Sequence, residues 1–420
     1  MFFLLPYGSD RQNSQFPAMT YALIAGNVIV YLCLLPLGQE AVVSQFGLSP
    51  SHASVMYILT SMFVHATPSH LIWNMLFLWL FGPNIEDVLG RVRYVILYLA
   101  SGFMAAIMHS FITTMFIPAY SDIPLVGASG AIAGLLGFFL VRFYWTEIKI
   151  FWCIPFRCGT FTISALFGLG VWFLQQFVGG LLCVMGQTYD DAPNLFFQVA
   201  HVILPEEVGY WSHIGGIIFG VTVSYALGML FQGTKEHRMA DAQKSLDQGT
   251  TWHAAEHYCA ILECEPDNAE VHAHLARTYA LQQDADLAVA HYQKCIELFL
   301  NEKDHDKVIS AFVELRSFYR YARVGLQSEF QIARQMGEMG RYELALQLYK
   351  EIIVEYPDAP EAEVSYMKAG DIYLHKLNNP KEAASFYQRF LKEYTSSSWR
   401  MLVIRSLAEA QHKARINLPS

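Results

Sequence analysis

Four polar side chains set inside apolar stretches carry the chemistry open to this sequence. Ser129 lies in Val126-Gly127-Ala128-Ser129-Gly130-Ala131-Ile132-Ala133-Gly134, a hydroxyl among small residues at the head of a long apolar run. His213 lies in Trp211-Ser212-His213-Ile214-Gly215-Gly216-Ile217-Ile218-Phe219-Gly220, near the start of another. His70 and Asn74 are four apart in a third, so on a helix they share one face. A Ser in such a run usually bonds back to its own helix, and small residues four apart usually just pack helices. Together the features say more. Gly130/Gly134 and Gly216/Gly220 let each helix accept a neighbouring backbone, and a nucleophile and its base need heavy atoms within about 3 Å. The chemistry indicated is a Ser hydroxyl activated by a His.

Other chemistries lack their residues. The His-Glu-x-x-His pattern of a zinc protease is absent, and no pair of Asp residues lies within the apolar runs. Asp122, Asp190 and Asp191 fall in loops, so a Ser–His dyad fits better than a triad. His52, His65, His70, His109, His201 and His213 show no ligand spacing, and neither a metal nor a cofactor is expected. Seven scattered cysteines, among them Cys153/Cys158 and Cys259/Cys264, argue against a disulfide framework.

The elements that must position these groups are membrane spans. Residues 1–232 hold 6 Lys+Arg and 10 Asp+Glu, while residues 233–420 hold 22 and 27. The first part is too poor in charge for an ordinary soluble domain, and the second is ordinary. Nothing in the net charge of −9 suggests nucleic acid. Six apolar segments, 18–37, 57–82, 94–117, 125–145, 161–185 and 209–231, each reach the roughly 17 residues a helical span needs. Arg11, Arg91, Arg93, Arg142, Lys149, Arg157, Lys235 and Arg238 fall in the terminal segments or on alternate loops, and the other three loops have no Lys or Arg. The positive-inside rule then puts both termini in the cytoplasm. On that topology His70, Asn74, Ser129 and His213 all lie toward the outer face, a convergence that makes a functional site the default reading. The loop at 186–208 is expected to form a lid over it or an interfacial helix, with the lid preferred. Met1–Leu5 is apolar but short, lacks a basic start and ends at Pro6, so it is not expected to be a cleavable signal peptide.

After Gln232 the pattern changes to soluble helices. Ala254 and Tyr258 recur as Ala288 and Tyr292, a shift of 34 residues. Leu275-Ala276-x-x-Tyr279, then Ile332-Ala333, Gly340, Ala345, Tyr349 and Pro357, then Ala369-Gly370-x-x-Tyr373 with Ala383 and Tyr387, continue it. This is tetratricopeptide (TPR) spacing, a stack of helix pairs docked through small residues. Residues 303–328 fit the register poorly and read as a degenerate pair. The turn around Asn378-Asn379-Pro380 must be longer than usual.

The first half resembles the rhomboid intramembrane serine proteases, on the Gly-x-Ser-Gly segment at Ser129, the His-x-x-Gly-x-x-x-Gly segment at His213, His65, His70 with Asn74, and Phe81-Gly82-Pro83-Asn84-Ile85-Glu86-Asp87-Val88-Leu89-Gly90. The resemblance implies Ser129 as nucleophile and His213 as base. It implies His70, Asn74 and the Ser129 amide as donors to the oxyanion. His65 is expected to hold the first loop, and Gly127, Gly130, Gly216 and Gly220 to support the site. Glu86 and Gly90 are expected to pack and cap the cytoplasmic side. One departure stands out: rhomboids often carry an aromatic four residues after the Ser, stacked on the His, and here that residue is Ala133. His213 must be oriented another way, with an aromatic from elsewhere.

The expected fold is therefore all-α, a six-helix transmembrane bundle over 1–232 and a cytoplasmic TPR solenoid over 233–420. The expected function is intramembrane cleavage of a transmembrane protein in a bacterial inner membrane, with the repeats binding a protein partner or the substrate's tail. The rival is a catalytically silent rhomboid-like receptor acting through its repeats. A transporter would need broken helices in pairs or a line of intramembrane charges, which are missing.

Overall fold

The computed structural model describes residues 3–11, 14–154, 157–188 and 209–416. The chain divides into two compact units, Met1–His237 and Arg238–Ser420. Helices dominate both. The lid expectation, with Asp190 and Asp191, falls almost wholly on 189–208 and so lies outside the described residues.

The first unit runs β1 (Phe3–Ser9), α1 (Ala18–Leu34), α2 (Gln39–Phe46), α3 (Val55–Ser61), α4 (Pro68–Leu89), α5 (Arg91–Phe116), α6 (Ser129–Arg142), β2 (Glu147–Ile154), β3 (Arg157–Ser164), α7 (Ala165–Thr188), α8 (Tyr210–Ala226) and α9 (Met229–Asp247), the last continuing past the division. Three described helical stretches, Ala18–Leu37, Arg91–Phe116 and Ala165–Met185, are by themselves long and apolar enough to cross a membrane, and α8 with α9 qualify as a pair bent by 72°. The remaining expected spans differ in instructive ways. The segment 57–82 is split: α3 ends at Ser61, and α4 begins only at Pro68. There Thr67 caps the helix by accepting the His70 N–H at 3.1 Å, and Pro68 takes the first-turn position that needs no donor. The segment 125–145 yields only the 14 residues of α6, because the chain up to Ala128 is held as a loop. Leu125 exchanges backbone hydrogen bonds with Leu48, and the Gly127 N–H donates to the Ser61 carbonyl at 2.8 Å.

Residues 161–164, read as the start of a span, instead belong to a three-stranded antiparallel sheet in the order β1-β2-β3. Pro6 sits in β1, an edge strand, where a missing ladder donor is tolerated. Cys153 and Cys158 are a register pair of the β2–β3 hairpin and are disulfide-bonded. Spacing alone argued against a disulfide framework; this single bridge depends on a strand pairing that an apolar reading of the segment hides.

At the other end of the helices, Glu86 is buried and its carboxylate accepts the backbone N–H groups of Met19 and Thr20 at 2.9 and 2.8 Å, capping α1. Gly90, at φ +74°, turns α4 into α5 without a loop. Arg142, 2% exposed, ends α6 against Glu236 of α9.

The second unit continues with α10 (Thr251–Leu262), α11 (Ala269–Leu281), α12 (Ala285–Glu302), α13 (His305–Phe318), α14 (Leu326–Glu338), α15 (Tyr342–Glu355), α16 (Pro360–Asp371), α17 (Pro380–Glu393) and α18 (Arg400–Ile416). The repeated pairs Ala254/Tyr258, Ala288/Tyr292, Ala345/Tyr349 and Ala383/Tyr387 are all buried, one small residue and one ring per layer. The poorly fitting stretch 303–328 holds one complete helix, α13, a non-helical segment and the first residues of α14, not a degenerate pair. The longer turn before α17 is made by a π-helical stretch at Ile372–Lys376 and by Asn378 at φ +49°, after which Asn379 caps α17.

Candidate active site

Ser129 is the first residue of α6, so its backbone N–H is among those a helix cannot satisfy internally and stands at the favourable end of the helix dipole for a negative charge. Its side chain is half-buried and therefore reachable.

The turn leading into Ser129 lies directly on α4. Gly127 has φ +116°, a conformation few side chains tolerate, and a Cβ there would meet His70 Nε2 at 2.7 Å and Asn74 Nδ2 at 3.6 Å. The expected four-residue spacing thus brings both side chains under the same turn. Asn74 is 6% exposed, and its Nδ2 has no hydrogen-bond partner among the described residues. A buried donor without an acceptor is costly and calls for an explanation. His65 accepts the Ala128 N–H at a long 3.5 Å and meets the His70 ring edge-on at 5.2 Å, so it holds the turn from below.

α8 reaches the same place by contact with α6 that only glycine permits. A Cβ on Gly216 would collide with the Gly130 carbonyl, and one on Gly220 with the Gly134 carbonyl. Gly130, next to Ser129, packs onto Ser212, next to His213, with only 2.5 Å from a would-be Cβ to Ser212 Oγ. His213 is in the first turn of α8, 8% exposed, its N–H bonded to the Gly209 carbonyl.

Two residues that spacing did not single out stand against His213, both from α7. Trp172 lies over the imidazole, ring centroids 5.7 Å apart and tilted 37°. Gln176 brings Oε1 to 2.8 Å from His213 Nδ1. Ala133 is fully buried against Gly216, so α6 has no room there for an aromatic, and α7 supplies it. The sequence did hold a signal: Trp172 and Gln176 are four apart, one helical face, and Gln175-Gln176 is an amide pair in mid-span. Among the described residues no group of three or more His, Cys, Asp or Glu could hold a metal ion.

Fold and site define a polytopic helical membrane protein with a Ser and a His on glycine-packed helices, followed by a helical-repeat unit. Residues 52–230 match the model of the rhomboid domain, and residues 269–302, 327–359 and 364–397 match tetratricopeptide repeat models. The chain therefore carries a rhomboid domain followed by tetratricopeptide repeats. Among curated relatives, YdcA of Bacillus subtilis is 30% identical over 129 residues, 30% of this chain and 62% of YdcA. The rhomboid protease GluP of the same species is 25% identical over 310 residues, 68% of this chain and 54% of GluP. The mitochondrial presenilin-associated rhomboid-like protein A of Danio rerio is 28% identical over 204 residues, 47% of this chain and 45% of that protein. The chain thus spans less than two thirds of the length of each.

Proposed function

We propose that this chain is an intramembrane serine endopeptidase that cleaves transmembrane proteins with a Ser129–His213 dyad. Ser129 Oγ attacks the scissile carbonyl carbon while its proton passes to His213 Nε2. The carbonyl oxygen becomes an oxyanion and receives hydrogen bonds from Asn74 Nδ2, His70 and the Ser129 N–H. The tetrahedral intermediate collapses as His213 returns the proton to the leaving amine, leaving an acyl ester on Ser129. Water, deprotonated by His213, then attacks the ester carbonyl, and as the bond to Ser129 Oγ breaks His213 returns that proton to Oγ and the acid product leaves. The observation that carries this reading is Asn74 Nδ2, a buried donor with no partner among the described residues, beside the turn that enters Ser129.

Depth supports it as well. A helix of 14 residues rises roughly 21 Å, against about 30 Å of hydrocarbon. With the inner end of α6 at its interface, Ser129 lies recessed below the outer one, where a substrate helix must unwind locally before its backbone can be attacked. The charge distribution of the loops supports a multi-pass protein with both termini in the cytoplasm, and we assign it to a bacterial inner membrane. The protease domain, expected over 1–232, takes in the rest of the first unit to His237. The residues after it form the cytoplasmic repeat domain, which binds a protein partner or the cytoplasmic tail of the substrate and raises its local concentration. The test is cleavage of a single-span model substrate by the purified protein in lipid, with Ser129→Ala beside it. A serine-reactive fluorophosphonate that labels the wild type and not Ser129→Ala supports the enzyme. A wild type that neither cleaves nor labels leaves the silent receptor.

A further inference from the structure

We infer that Gln176 is a positioning residue: its amide oxygen holds the His213 proton on Nδ1 and so presents the Nε2 lone pair to Ser129. The inference rests on the reading of Ser129 and His213 as nucleophile and base. An amide oxygen only accepts, so Nδ1, 2.8 Å away, must donate. A neutral imidazole carries one proton, and fixing it on Nδ1 leaves Nε2 as the acceptor a base requires. The ring has little freedom to escape this arrangement. Trp172 lies over it from the same face of α7, and Gly179 and Gly180 let α7 close onto Tyr210 and Trp211 at the head of α8.

Gln176 is itself 4% exposed. An amide in an apolar span is expensive unless bonded, so its use here needs a reason. Helix adhesion is one reason, but adhesion is indifferent to which imidazole nitrogen is engaged. Positioning is not. A neutral amide in the third position also differs in kind from a carboxylate. It sets tautomer and ring angle without adding charge, so its loss weakens the base and leaves the nucleophile in place.

The experiment compares full-length wild type, Gln176→Leu and Gln176→Glu in lipid nanodiscs. It measures cleavage of a single-span substrate, thermal unfolding and the ¹⁵N resonances of the His213 ring, assigned by their loss in His213→Ala. The expected result is a protonated Nδ1 and unprotonated Nε2 in the wild type. In Gln176→Leu the tautomers should mix and kcat should fall about 10- to 100-fold with KM little changed. Gln176→Glu keeps an acceptor at the same reach and should restore both the Nδ1–H signature and most of kcat. An unprotonated Nδ1 in the wild type overturns the inference, and this holds even if Gln176→Leu does not fold. So does a Gln176→Leu variant that cleaves at the wild-type rate, or one whose loss comes with lowered stability and an unchanged tautomer. A wild type that cleaves nothing yet shows an Nδ1–H dependent on Gln176 sinks the protease reading while the positioning contact stands.

Discussion

The two units both stack helices through small residues, yet they use them for opposite ends. In the membrane unit the small residues are glycines, and Gly130, Gly134, Gly216 and Gly220 bring the backbones of α6 and α8 into contact. In the repeat unit they are alanines, each buried with a tyrosine ring four residues on: Ala288 with Tyr292, Ala345 with Tyr349, Ala383 with Tyr387. An alanine and a ring make a spacer of constant thickness, suited to repetition. A glycine pair removes the spacer, so short polar side chains beside it can meet across the interface. Two asparagines show the contrast at single residues. Asn74 Nδ2 in the membrane unit has no partner, whereas Asn268 in the repeat unit accepts the Val271 N–H at 3.1 Å and caps α11. At Asn74 the free donor lies beside the turn that enters Ser129, and at Asn268 the side chain serves the helix it caps.

That division breaks most sharply on hydroxyls. Ser129→Ala and His213→Ala should each abolish cleavage, a loss of more than about 10³-fold, and the double variant should be scarcely worse because the two act as a unit. Ser365, fully buried in the repeat unit, bonds back to the Glu361 carbonyl at 2.7 Å on its own helix. Ser365→Ala should leave cleavage unchanged and shift stability by less than about 1 kcal/mol. Cleavage assays and thermal melts on the three single variants decide it. Substantial turnover by Ser129→Ala would end the proposed mechanism.

The asparagines give the next largest contrast. Asn74→Ala should lower kcat by about 10²–10³-fold with little effect on stability, because its Nδ2 has no partner to lose in the resting protein. Asn268→Ala should cost about 1 kcal/mol of repeat stability, the worth of a helix cap, with no effect on kcat. If Asn74→Ala cleaves at the wild-type rate, Asn74 is architecture too.

How much of this was legible beforehand follows from range. His70 with Asn74, and the two glycine pairs, are local periodicities, and a helix turns a four-residue spacing into a shared face wherever it lies. The repeats were legible for the same reason, since Ala and Tyr recur at a fixed interval. Where contacts are distant the sequence can mark a residue without naming its partner. Nothing near residue 176 says that its amide meets His213, 37 positions away, and nothing near residue 151 says that its strand pairs with residue 5. The break between α3 and α4 was hidden because Met62 and Val64 are apolar and buried without being helical.

The repeat unit's influence on cleavage is expected to be smaller than any loss at the site. Removing it should leave turnover of a generic single-span substrate intact while abolishing the preference for substrates that keep their cytoplasmic tail. That preference should be about 10-fold or more if the tail docks. The cut must respect the membrane unit: Glu236 partners buried Arg142, and His237 stacks on Trp145 at 5.4 Å, so it belongs after Asp247 and not at residue 232. Equal preference before and after truncation would make the repeats an independent adaptor.

The smallest effect is expected at a buried charge in the repeat unit. Glu329 is 0% exposed on α14, where its carboxylate accepts the Val324 N–H at 3.1 Å and faces Arg323 at 3.2 Å. Burial pushes its pKa above the usual carboxylate value, against the downward pull of the Val324 N–H and Arg323. The sign follows from linkage. A carboxyl that binds its proton more tightly folded than unfolded contributes its stability below the unfolded pKa and loses it as pH rises through the folded one. Wild-type repeats should therefore lose a little stability between pH 4 and pH 7 through this group. Glu329→Gln, which cannot titrate, should be spared that loss. Its melting temperature relative to wild type should rise across the interval. If the variant instead falls behind as pH rises, the Arg323 ion pair outweighs the cost of burial, and the charge is held by attraction and not merely tolerated.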